Sequence, residues 1–122
     1  MKSILCVDFD GVIHSYSSGW KGASVIPDPP VPGALDFLER AISHFRVAVY
    51  STRSNIPGDL EAMQIWLYDE AKKVHQDLHW IAFIEWPTVK PPAFVTIDDR
   101  AICFTGTWPS MKTLTDFKPW NK

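Results

Sequence analysis

The feature that most constrains this chain is the apolar run Ile4-Leu5-Cys6-Val7, which ends in Asp8-Phe9-Asp10-Gly11. A continuous apolar segment without polar alternation fits a strand buried on both faces, and such strands belong to parallel sheets. Two carboxylates, two residues apart, then stand at its carboxyl end, where open α/β sheets place their ligands. Gly11 permits a backbone turn there that residues with a Cβ resist.

The rest of the chain supplies partners for such a strand. Residues 11–32 show no sustained helical period and carry Ser, Gly and Pro punctuation around Tyr16, Trp20, Val25 and Ile26, the pattern of a long loop or small flap. Pro32-Gly33 opens a helix in which Leu35, Leu38, Ala41, Ile42 and Phe45 recur at three- and four-residue spacing. Arg46–Tyr50 reads as a second buried strand delivering Ser51-Thr52-Arg53 at its end. Pro57-Gly58-Asp59 starts a second helix running to about Val74. Ile81–Glu85 predicts a third strand, and Phe94–Ile97 a fourth that ends in Asp98-Asp99 much as the first ends in Asp8. Ala101–Phe104 is read as a short fifth strand, and Ser110 as the cap of a last short helix. This alternation predicts an α/β fold with a mostly parallel central sheet and right-handed crossovers. Residues 1–122 are expected to form a single domain, with 105–122 as a C-terminal extension.

Composition narrows the function classes. Twelve basic and fourteen acidic residues give a net charge of -2, so no broad positive field points to nucleic acid or to an anionic membrane. The apolar runs are far shorter than the roughly 20 residues a membrane-spanning helix needs, and a cytoplasmic protein is expected. Cys6 and Cys103 each lie in an apolar stretch and read as small core residues, with no His/Cys cluster of zinc-ligand spacing beside them.

Taken singly, an aspartate at a strand end is usually a loop or helix cap. Asp8, Asp10 and Asp98 all follow apolar strands, however, and a shared sheet edge would bring them together. Like charges packed closely repel, so such a cluster calls for a cation, and oxygen-only ligands suit Mg²⁺.

Four short segments resemble the motifs of the haloacid dehalogenase (HAD) superfamily, whose members have a three-layer Rossmann-like fold. Ile4–Val12 is similar to its first motif, an apolar strand followed by Asp-x-Asp-Gly. Val47–Ser51 resembles the second, in which a Ser or Thr ending a strand binds a phosphoryl oxygen. Lys90-Pro91 and the Asp98-Asp99 pair eight residues after the lysine resemble the third and fourth. The resemblance implies a Mg²⁺-dependent phosphohydrolase acting on a phosphate monoester. Asp8 would be the nucleophile and Asp10 the general acid and base. Ser51, or Thr52 one position on, would hold the phosphoryl group, with Lys90 steadying its charge. The metal would be held by Asp8, the backbone carbonyl of Asp10 and the acidic pair, with Asp98 the expected direct ligand and Asp99 acting through water or by orienting the others. An acid at Asp10 argues against dehalogenation, because a leaving halide needs no proton.

Neither 11–32 nor 54–90 has room for the cap domain of larger relatives. An open site favours phosphate on an extended or macromolecular substrate, unless a second subunit of a homo-oligomer supplies the lid. Two other readings keep the same residues: a non-catalytic binding module of this fold, and a phosphotransferase or nucleic-acid end-processing phosphatase. Around the motifs, His14 is expected to be solvated or bonded locally, and Trp20 either to stack on a substrate ring or to close over the core. Arg53 is a candidate partner for a substrate phosphate, and Arg100 is expected to pair with a neighbouring carboxylate.

Overall fold

In the computed structural model, which describes residues 1–122, the opening apolar run becomes β1 (Ile4–Val7). It is the middle strand of a three-stranded, all-parallel sheet, flanked by β2 (Arg46–Val49) and β3 (Val95–Ile97) in the order β2-β1-β3. Val7 lies level with Val49 on one side and Ile97 on the other, so the three strands end together. That register brings Asp8, Ser51 and Asp98 to one edge of the sheet.

Two long helices cover the sheet. α1 (Ala34–Ala41) buries Leu35, Leu38 and Ala41, and α2 (Asp59–Val74) buries Met63, Leu67 and Ala71 at four-residue spacing. These side chains share one core with Leu5, Val7, Val47 and Val49, alternate residues of their strands and therefore on one sheet face. Each fully buried Leu, Val or Met contributes about 1.5–3 kcal/mol relative to exposure. Cys6 and Ala48, in register on the opposite face, are also buried. His75, at the end of α2, reaches Asp36 of α1 at 2.9 Å and ties the two helices together.

Three expectations need correction. Ile81–Glu85 is not a strand: His79–Phe83 forms a 3₁₀ helix, and only Glu85 hydrogen-bonds to the sheet, exchanging backbone hydrogen bonds with Val47 and Val49. The buried residues there are Trp80 and Ile84, a spacing of four that suits a helical turn and not a strand. Ala101–Phe104 forms no strand and stays exposed, so Cys103 is a surface thiol while Cys6 is buried as expected. Ser110 does cap a short last helix, α3 (Met111–Thr115), its hydroxyl accepting from the Thr113 N–H at 3.1 Å. No helix is long and apolar enough to cross a membrane.

Candidate functional site

The common strand ends define a cavity of about 330 Å³ lined by Asp8, Asp10, Ser51, Thr52, Asp98 and Asp99, with Tyr16, Trp20 and Arg100 at its sides. β1 positions Asp8 and Asp10, the loop after β2 positions Ser51 and Thr52, and β3 leads directly into the acidic pair. Carboxylate oxygens of Asp8, Asp98 and Asp99 all lie within 4.8 Å of one another. Gly11 turns with φ +84°, and a Cβ there would collide with the Asp99 carboxylate. The glycine therefore serves both the turn and the approach of Asp99.

The two aspartates of β1 have opposite electrostatics. Burial pushes the Asp8 carboxyl up to about 8, helped by the charge of Asp98 and by a hydrogen bond with Asp99. Asp99 Oδ1 is itself buried without a hydrogen-bond partner. Three crowded carboxylates, one pushed toward its neutral form and one with an orphaned oxygen, form an oxygen-only donor set that a divalent cation fits.

Burial also acts upward on Asp10, but hydrogen bonds from His14 and Arg53 and the Arg53 charge outweigh it and hold this carboxyl below the ordinary range. Arg53 is wholly buried; its Nε donates to Asp10 Oδ2 at 2.9 Å and its Nη2 to Oδ1 at 3.3 Å. Its Nη1 donates to the carbonyls of Gly22, Ala23 and Val25, fastening the flap. His14, also fully buried, accepts the Asp28 N–H at Nε2, so its proton sits on Nδ1 and is donated to Asp10 Oδ1 at 2.9 Å.

Arg53 thus faces Asp10 where the sequence suggested a substrate phosphate, and His14 is bonded locally as expected. The signal for His14 was its place four residues after Asp10; nothing in the sequence pairs Arg53 with an aspartate 43 residues away. Ser51 is buried, its Oγ accepting the Arg53 N–H at 3.1 Å, whereas Thr52 is exposed. Lys90 lies on an exposed loop outside the cavity lining, although its charge still acts on the Cys6 thiol together with those of Asp8 and Asp98. Arg100 forms no ion pair; its backbone N–H donates to Asp98 Oδ1 at 2.8 Å. The C-terminal extension closes over the flap, with Trp120 Nε1 donating to the Gly11 carbonyl and Asn121 Nδ2 to the Ser15 carbonyl, each at 2.8 Å.

No family model, curated protein or solved structure matches this chain.

Proposed function

We propose that this chain is a capless, HAD-like phosphohydrolase with a Rossmann-like sheet, cleaving phosphate monoesters through an aspartyl-phosphate on Asp8. The observation that carries the reading is the convergence of Asp8, Asp98 and Asp99 at one sheet edge, beside Asp10 and the buried Ser51.

Asp8, Asp98 and Asp99, with the Asp10 carbonyl, would hold Mg²⁺. Bound there, the ion supplies positive charge to the phosphoryl oxygens and favours the ionised form of Asp8. An Asp8 oxygen attacks phosphorus in line as the ester P–O bond breaks, and the leaving oxygen takes a proton from Asp10. Asp10 then removes a proton from water, whose oxygen attacks the aspartyl-phosphate and releases inorganic phosphate with Asp8 restored. The Ser51 hydroxyl, whose oxygen accepts the Arg53 N–H, would donate its own proton to a phosphoryl oxygen. Lys90 adds charge to the phosphoryl group only if its loop brings it inward. Arg53 and His14 hold Asp10 ionised, the form required to activate water, so departure of a basic alkoxide requires Asp10 to gain a proton first.

The test is hydrolysis of p-nitrophenyl phosphate with and without Mg²⁺. Metal-dependent turnover that vanishes in Asp8→Asn supports the reading. Equal turnover by wild type and Asp8→Asn removes Asp8 as the nucleophile and contradicts the reading, and no release above background by wild type leaves the non-catalytic binding module.

A further inference from the structure

Building on the hydrolase reading, we propose that the Trp20 indole is a stacking platform for a planar ring in the substrate's leaving group, so that the site takes aryl or nucleoside phosphate monoesters. Three other tryptophans, Trp66, Trp80 and Trp86, pack into or against the core; Trp20 does not. It is 52% exposed and lines the same cavity as Asp8, Asp10 and the Asp98-Asp99 pair. Apart from its contact with Arg53, the indole is left half in water beside a cluster of carboxylates.

The ring is nevertheless held in place. The Arg53 guanidinium lies 4.7 Å from its centroid, and Arg53 is fixed by Asp10 and by three flap carbonyls. The indole is therefore pre-oriented by a buried cation while much of its surface remains open, which lowers the ordering cost of stacking a ligand ring. Tyr16 supplies a second aromatic wall to the cavity, and it does so from a left-handed backbone, φ 59°, that residues with a Cβ rarely adopt. A cavity lined by two aromatic rings and four carboxylates matches an ester with two unlike ends, a phosphoryl group met through a cation held by the carboxylates and an uncharged planar ring met by the aromatic side chains.

The test is equilibrium binding to Asp8→Asn, which cannot form the phospho-intermediate, by calorimetric titration in excess Mg²⁺. The probes are adenosine 5′-monophosphate, phenyl phosphate and glycerol 2-phosphate. We expect the two ring-bearing esters to bind about 10-fold or more tighter than the ring-free one, within the range of base–aromatic stacking. Adding Trp20→Ala should abolish that preference, and Trp20→Phe should restore most of it. Tighter binding of the nucleotide assigns a nucleobase to the platform, and tighter binding of phenyl phosphate an aryl ring; either supports the proposal. No binding of any probe, equal binding of all three, or a preference that survives Trp20→Ala overturns it. Because the readout is binding without turnover, failure of wild type to hydrolyse any ester would refute the hydrolase reading alone.

Discussion

Asp8 and Asp10 are two residues apart in the chain, yet their surroundings shift their carboxyls in opposite directions. Asp8, raised from 3.8 to about 8, is destabilising to the extent that it must ionise in the fold. In metal-free protein its contribution is intact below about pH 4 and is lost as pH rises through about 8. The melting temperature should fall across that window, and Asp8→Asn should flatten the fall; parallel pH profiles for the two proteins would contradict it. Asp10 acts with the opposite sign, because its lowered value makes its contribution present above its unfolded pKa and lost as pH falls. In catalysis, Asp10→Asn should slow an alkyl monoester far more than p-nitrophenyl phosphate, whose phenolate leaves without a proton. Equal losses on both substrates, read as kcat/KM, would remove Asp10 as the acid. Arg53→Met would leave Asp10 without its buried cation and should cost about 3–5 kcal/mol in urea unfolding. A loss below 1 kcal/mol would mean that the fork from Arg53 to Asp10 contributes little to the fold.

At the scale of elements, the strands that carry the site were legible because each is a short apolar run that gives way to polar residues, at Asp8 after β1, Ser51 after β2 and Asp98 after β3. β1, β2 and β3 appear where such runs occur, and α2 begins at the expected Asp59 and ends at the expected Val74. The 3₁₀ turn at His79–Phe83 was not legible, since Ile81–Glu85 has strand-like composition and its helical spacing shows only through which residues are buried. Ala101–Phe104 also has strand composition, but it pairs with nothing, and strand propensity mostly measures how a residue fits a sheet already present. The Arg53 fork was hidden for another reason: it joins the loop after β2 to the end of β1, and only the register of those strands brings them together. Gly11 is the element-level position with the least tolerance. Gly11→Ala combines a positive φ with a collision at Asp99, so it should cost about 1–3 kcal/mol and weaken Mg²⁺ binding by displacing that carboxylate. A thermal melt with and without the metal reads both effects, and an unchanged melt in each would mean that the turn has slack.

For the whole molecule, the sheet edge, the flap and the C-terminal extension act on one another through the site. Arg53 fastens the flap to Asp10, and Trp120 and Asn121 fasten the extension to Gly11 and Ser15. A cation bound among Asp8, Asp98 and Asp99 would therefore stabilise more than its own ligands. By linkage the gain is about 2.7 kcal/mol when free metal reaches 100 times its dissociation constant. The most direct measurement of the central claim is a thermal melt of wild type, Asp8→Asn and Asp98→Asn, each with and without Mg²⁺ and beryllofluoride, which mimics a phosphoryl group on an aspartate. The account predicts that Mg²⁺ raises the melting temperature of wild type, that Asp98→Asn blunts the rise, and that beryllofluoride adds stability only with Mg²⁺ present and Asp8 intact. Equal shifts in all three proteins would contradict it.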